Sequence, residues 1–447
     1  MTKKIFFLLL VCLSVVIAGA ETFQLSIDDS VGMAISNNLP LKQSGLTLQK
    51  AERAVKTVWN VFLPSITAST GFSAQSGIFT LNGNAPSSMS DPGNLGINAG
   101  LALSLQISSA VGAGISKIKL DYEAGLLEYE AAVKELERDV QKQFYNILAN
   151  QENIRIQQAN IELAQKRLEQ ARRNFSNGLV PEIDVLSAEV TLAKLQPDYN
   201  NTVQVYNSLL LNFKTIIGAE RGDEVILDGE LPSDLHDLDA EELIQKYAAG
   251  RLDLRKLDKQ IASLEYTRKS TALHNNLPTL NLGYTYALNG SNAATNTPQQ
   301  SIDPWTNFSD RGTLDLTLKW QLSGLIPGSK TNVQVKDFKD DTEKLKLARE
   351  IARQGAETEI ENLVGSLLTS KLTIEANTSS TELARKNYEL TEEAYRVGTR
   401  QLLDVESAQN NYLDSQQKLL LAKLNYIVGL FDLEYALNTP MEEFLQK

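Results

Sequence analysis

The chain has 447 residues and is poor in the side chains on which most enzymes and metalloproteins depend, with two histidines and one cysteine. That inventory leaves almost nothing for zinc, iron–sulfur or haem ligation, or for histidine-based acid–base work. His236 and His274 stand isolated, so neither a cofactor nor a metal site is expected, and no catalytic residue is assigned. Basic residues are in deficit, 43 against 55 acids. Such a chain lacks the clustered lysines and arginines that displace phosphate counterions, which excludes nucleic acid as a partner class. Long apolar runs are also missing after residue 20. No helix is expected to span a bilayer, so any insertion would have to be by β-strands.

What is present begins with MTKKIFFLLLVCLSVVIAGA, two lysines, an apolar stretch and small residues before Glu21. This layout predicts a signal peptide over residues 1–20. Cys12 lies inside the apolar stretch and is read as part of it, not as a lipidation site. Removing Lys3 and Lys4 lowers the basic count from 43 to 41 against 55 acids, a net of −14. The remaining chain is free of cysteine and needs no disulfide.

Two halves repeat one design. The prolines of FLPSITASTGF and NLPTLNLGYTY are 214 residues apart, LSLQIS and LKWQLS are 215 apart, and NFSNGLVPEIDVLSAE pairs with AYRVGTRQLLDVESAQ at an offset of 220. The last pairing aligns Gly178 with Gly398, Asp184 with Asp404, and Ser187-Ala188 with Ser407-Ala408. Three matches in one order at a nearly constant offset predict an internal duplication. The expected first repeat covers 21–238 and the second 239–447. Each should open with a helix, roughly 27–61 and 240–275, capped at Ser26 with Asp29 and at Asp239 with Glu242.

Strands are expected at about 64–77, 97–109, 278–290 and 311–323, from period-two alternation such as Ile97, Leu101, Leu103, Leu105 and Ile107 against Asn98, Gly100, Ser104 and Gln106. Their length suits a tilted bilayer crossing, and the connecting loops 78–96 and 291–310 are long and polar. Long helices are expected at about 113–177 and 330–397, with return helices at 182–217 and 402–437 and an equatorial linker at 218–238. In the first rod Leu126, Val133, Val140, Ile147, Ile154, Ile161, Leu168 and Phe175 keep a seven-residue spacing. In the second, Ile360, Leu367, Ile374, Thr381, Tyr388 and Tyr395 do the same, which predicts left-handed coiled packing. Four strands leave two edges, and unpaired edges in hydrocarbon are prohibitive. A barrel must therefore be shared, with eight strands in a dimer or twelve in a trimer.

Over the whole mature chain these features resemble the TolC-like outer-membrane efflux protein family. The resemblance rests on LSIDDSVGMAISNN, the Leu-Pro before each first strand, and the turns FSNGLVPEIDVLSA and YRVGTRQLLDVESA. It implies a mostly α-helical α+β membrane protein: a homotrimer with a 12-stranded outer-membrane β-barrel, four strands per protomer, continued by a long periplasmic α-helical barrel. The implied role is an exit duct for a tripartite efflux pump or type I secretion system. Its partners would be a periplasmic adaptor, an inner-membrane transporter of RND, ABC or MFS type, and outer-membrane lipid.

By the same resemblance, Tyr395 and Arg400 match gate residues that bond Asp184. Asp404 matches the first acid of a constriction ring, while Ser407 replaces the second and weakens the expectation of a strong cation site. Asp184 and Asp404 also stand at helix starts, where an acid is favoured by the dipole. Gly178 and Gly398 suit left-handed turns. With Leu179, Val180, Pro181 and Thr399 they form the expected adaptor-docking tip. WQLSGLIPG departs from the family form at the strand-to-rod junction. Two other classes remain open: a structural or adhesive coiled-coil stalk without a lumen, and, least supported, an enzyme.

Overall fold

The computed structural model describes residues 22–75, 94–231, 234–291 and 307–445. The expected signal segment and the loop portions 76–93 and 292–306 lie outside the described residues. The chain divides into two compact units, one from Met1–Thr47, Leu127–Arg255 and Glu350–Lys447, the other from Leu48–Leu126 and Lys256–Arg349.

The first unit begins with strand β1 (Thr22–Leu25) and helix α1 (Ile27–Asn37). Ser26 and Asp29 close the expected capping box on α1. The expected 27–61 helix is not continuous. Asn38 leaves helical geometry (ψ 123°), helix α2 resumes over Leu39–Lys56, and a 3-10 turn follows at Val58–Phe62. Pro40 fits the break, because its nitrogen has no N–H to give the Ser36 carbonyl as one continuous helix would require, while a proline is tolerated in a first turn. The second half breaks at the equivalent place: helix α5 (Ala240–Tyr247) is capped by Asp239, a 3-10 turn spans Ala248–Gly250, Arg251 is extended, and helix α6 runs Leu252–Asn276.

Helices α3 (Val111–Ser176) and α7 (Lys330–Arg396) are the two rods, and α4 (Glu182–Ile217) and α8 (Leu402–Leu437) return from them. At 1.5 Å per residue each rod extends roughly 100 Å. The heptad prediction is legible in burial. Val140, Ile147, Ile161 and Leu168 are buried while the terminal members Leu126 and Phe175 are exposed, and Ile360, Leu367, Ile374 and Tyr388 are buried in the second rod.

The expected linker 218–238 holds a strand, β4 (Glu224–Leu227), which pairs in parallel with β1 from Thr22↔Glu224 to Leu25↔Leu227. It covers one core made of Ala34, Val140, Phe144, Ile147, Phe213 and Ile217. A second core joins Leu243, Ile360, Leu367, Leu430, Phe431, Leu433 and Leu437, and includes Phe444 of the short helix α9 (Met441–Leu445). Each such side chain contributes about 1.5–3 kcal/mol by leaving water.

The second unit carries the four expected strands as one antiparallel sheet, β2 (Ser65–Gln75), β3 (Asn94–Ser108), β5 (Thr279–Ser291) and β6 (Asn307–Lys319), in the order β2-β3-β5-β6. Residues 94–96 and 307–310, expected in loops, are strand. Conversely, β6 stops at Lys319 although the alternation continues through Trp320 and Leu322. Gln321 leads into a 3-10 turn at Leu322–Leu325, and the Trp320 indole N–H donates to the Asn276 carbonyl at 3.1 Å.

Register places every apolar alternation on one face. Ile66 lies opposite Leu103, Leu103 opposite Tyr284, and Tyr284 opposite Leu314, while Leu105, Leu282 and Leu316 form the next row. The other face carries Ser65, Ser104, Gly283 and Asp315 in one row and Thr67, Ala102, Thr285 and Thr313 in the next. The apolar face is bare: Ile66, Phe72, Leu101, Leu314, Leu316 and Leu318 are all exposed. The sheet is not closed, with β2 and β6 as its edges. Among the described residues no helix is long and apolar enough to cross a membrane.

Candidate functional site

The two hairpins of the first unit end in matching turns. After α3, the Leu179 N–H donates to the Asn174 carbonyl and the Gly178 N–H to the Phe175 carbonyl, both at 2.9 Å. After α7, Thr399 donates to Ala394 and Gly398 to Tyr395, again at 2.9 Å. These paired bonds require a left-handed residue one past the helix, and Gly178 (φ 74°) and Gly398 (φ 79°) supply it. Leu179 is 71% exposed, Pro181 is exposed and Val180 is half-buried, so the first tip presents apolar surface.

The gate residues expected from the sequence separate into two groups. Tyr395 packs against Leu168, Ala171, Ala188 and Leu402, and burial together with the nearby Asp184 charge raises its hydroxyl above the ordinary tyrosine range. Arg400 pairs with Asp404, one turn along in sequence, at 3.7 Å rather than with Asp184. Asp404 is also the capping acid of α8, facing the Gln401 N–H at 3.3 Å. Among the described residues the ion pair that Arg400 makes is with Asp404, in the first turn of the helix that follows it. Ser407 is exposed.

About two to five helical turns behind the tips lies a polar group. Arg167 of α3 is only 7% exposed. Its guanidinium donates to Tyr388 Oη on α7 at 2.9 Å and to Gln409 Oε1 on α8, with Glu392 at 4.0 Å. Gln409 in turn donates to Asn160 Oδ1 on α3 at 3.2 Å. Burial pushes the Tyr388 hydroxyl up to about 12, against the opposing pull of Arg167. Glu406 of α8, also 7% exposed, accepts from Ser187 Oγ at 3.1 Å and Thr191 Oγ1 at 3.0 Å on α4. A weak signal for Glu406 does exist, since at the 220-residue offset it replaces Leu186 of the first half. Arg167 has none, because it sits beside the heptad position Leu168 and resembles an ordinary flanking charge. Among the described residues no group of three or more histidine, cysteine or acidic side chains could hold a metal ion.

Comparison with known proteins agrees with this layout. A family model described as outer membrane efflux protein matches residues 31–219 and 243–439, one segment in each half. The outer membrane protein TolC of Salmonella enteritidis is 28% identical over 176 residues, which is 38% of this chain and 34% of that relative, so the match spans about a third of the relative's length. Two solved structures share the fold over nearly the whole chain. The outer-membrane channel OprN has a TM-score of 0.72 at 17% identity, covering 93% of this chain and 90% of its own. The Campylobacter jejuni CmeC outer membrane channel has a TM-score of 0.72 at 18% identity, covering 92% and 85%. The chain belongs to the outer membrane efflux protein family, and the outer membrane is where it resides.

Proposed function

We propose that this chain is one protomer of a homotrimeric duct, in which three four-stranded sheets join edge to edge as a 12-stranded barrel and the helices continue it through the periplasm. The observation that carries the reading is the sheet: one face predominantly apolar with Ile66, Phe72, Leu101, Leu314, Leu316 and Leu318 exposed, the other mostly polar, with open edges at β2 and β6. Backbone groups on those edges have no partner in lipid unless another copy supplies it. The polar face then lines the lumen and the apolar face meets lipid. The duplicated order of elements supports the duct over a solid stalk, because a stalk has no use for a two-faced sheet of this length.

The duct serves as the exit of a tripartite pump or type I secretion system, receiving cargo through an adaptor from an inner-membrane transporter of RND, ABC or MFS type. Gly178, Leu179, Val180, Pro181, Gly398 and Thr399 form the docking tips, and exposure of Leu179 supports that role. Asp184, Tyr395, Arg400 and Asp404 bias the tip toward closure until a partner docks. Packing of Tyr395 against Leu168, Ala171 and Ala188 of the other hairpin supports the assignment. Planar-bilayer recording of the purified protein should show a small, mostly closed conductance that Arg400→Ser enlarges. An unchanged conductance removes the gate assignment, and a solid rod in negative-stain images removes the duct.

A further inference from the structure

We propose that Arg311, Asp315 and Lys319, a single column on β6, are the fixed charges that set the electrostatic potential inside the barrel and give the pore a preference for anions. The inference rests on the reading of the polar sheet face as the lumen wall and names the residues that discriminate there.

On β2, β3 and β5 that face carries only serine, threonine, asparagine, glutamine, alanine and glycine, from Ser65 to Gln75, Asn94 to Ser108 and Thr279 to Ser291. β6 breaks the pattern, since Arg311, Asp315 and Lys319 share its polar side with threonines between them. The sheet's remaining charge, Asp310, lies on the opposite face, where the Tyr286 hydroxyl donates to it at 3.1 Å. Four residues of strand span about 14 Å, so the three cannot neutralise one another. Directly across on β5 they meet Ala287, Gly283 and Thr279, none of them charged, and the Asp315 carboxylate lies over the bare Gly283. Among the described residues none of the three has an ion-pair partner.

β6 is an edge strand, and in a ring of copies its neighbour is β2, whose polar side is uncharged from Ser65 to Gln75. The column therefore stays unpaired, and three copies stack it into a ring of arginine, a ring of aspartate and a ring of lysine. Two cations and one anion leave each column positive, opposite in sign to the whole chain with its 43 basic and 55 acidic residues. Rings of fixed side-chain charge favour mobile ions of the opposite sign. Twelve strands about 4.8 Å apart and tilted about 45° enclose a bore roughly 25 Å across between backbones. Screening over about 8 Å at physiological salt confines the field to the wall, whereas about 30 Å at 0.01 M lets it fill the bore. The preference is thus strongest at low salt.

Residues 21–447 contain no cysteine, so one introduced at Thr317, two residues from Asp315 and two from Lys319, reports the local potential alone. The full-length protein in lipid vesicles is labelled with sulfonate- and trimethylammonium-bearing methanethiosulfonates. The ratio of the two rates, taken relative to a free thiol in solution, cancels changes in the cysteine itself. Thr317→Cys should give a ratio near one, because Asp315 and Lys319 flank it equally. Adding Lys319→Gln should lower the anionic-to-cationic ratio about fivefold at about 10 mM salt, adding Asp315→Asn should raise it by about as much, and both shifts should all but vanish at about 1 M. Thr313→Cys repeats the test for Arg311→Gln. In planar bilayers under a low-salt gradient, Lys319→Gln should move the reversal potential toward cation preference and Asp315→Asn toward anion preference. If Thr317→Cys reacts no faster than Leu316→Cys on the apolar face, the polar face is not the lumen wall and the duct reading fails with the proposal. If it reacts faster yet neither substitution moves the ratio, the proposal is overturned and the duct stands. Shifted ratios with wild-type reversal potentials in both variants overturn it as well, since another part of the duct then sets the preference. The two substitutions are independent, so either decides if the other fails to assemble.

Discussion

Leu314→Arg compared with Thr313→Arg is the sharpest test of the membrane sheet, because the two residues are neighbours on one strand and differ only in face. Leu314 is 73% exposed and lies opposite Tyr284 on the apolar side, whereas Thr313 lies opposite Thr285 on the polar side with Arg311 and Asp315 flanking it. Leu314 is five residues from the end of β6 at Lys319. At a rise of about 3.4 Å and a tilt of about 45°, that places it roughly 12 Å inside the strand end, too deep for easy snorkelling. An arginine near the bilayer midplane costs about 2–4 kcal/mol per protomer, and one in a wet lumen costs about 0.5 kcal/mol or less. Urea unfolding in phospholipid vesicles, followed by heat-modifiable gel migration, measures the difference. Leu314→Arg should lower the midpoint markedly and Thr313→Arg should leave it near wild type. Equal effects, or a larger effect at Thr313, would refute the assignment of lipid to the apolar face.

Two further outcomes follow from packing and charge. Gly218, which ends α4 with φ 72°, has Asn37 Cβ 2.5 Å from where its own Cβ would stand, whereas Gly398 (φ 79°) faces open space. Gly398→Ala should therefore cost only the left-handed strain, about 1–2 kcal/mol, while Gly218→Ala adds overpacking and reaches about 2–5 kcal/mol, compared by chemical denaturation. Burial raises the Glu434 carboxyl from its ordinary 4.5 to about 7, with Glu442 and Glu137 reinforcing the shift and Lys134 opposing it. The native state then holds this proton more tightly than the unfolded chain, so stability falls as pH rises from about 4.5 to 7. Glu434→Gln should stabilise the fold at pH 8 by on the order of 1 kcal/mol once solvent screening is allowed for, read as a higher melting temperature, and leave it nearly unchanged at pH 4. A larger gain at pH 4 would contradict the sign.

Patterns carried by near neighbours are legible in the amino-acid order alone. The strands follow from period-two alternation, the rods from a seven-residue spacing sustained over some fifty residues, and the tip glycines from two aligned turn signatures. Each is a local requirement: a strand face, a helix stripe, or a positive φ that only glycine meets cheaply. Return helices 182–217 and 402–437 coincide with α4 and α8 because Pro181 and the capping acid Asp404 mark their starts. The breaks at Asn38 and Arg251 are hidden in the sequence because helical periodicity continues past them, although Pro40 marks the first.

What tertiary structure alone decided lies between residues far apart in sequence. The β1–β4 pair joins four-residue segments some 200 positions apart, and segments so short carry no decisive alternation. The end of β6 at Lys319 was set by Trp320 finding the Asn276 carbonyl, not by any change in pattern. The Arg400–Asp404 pair joins residues four apart at the start of α8, a contact local enough to need no other hairpin. Arg167 became buried only when α7 and α8 closed over it, since burial belongs to the packed helices and not to a residue. Sequence determines what is periodic along the chain; three-dimensional packing determines which charges lose their water, and that loss turns an ordinary arginine into a structural commitment.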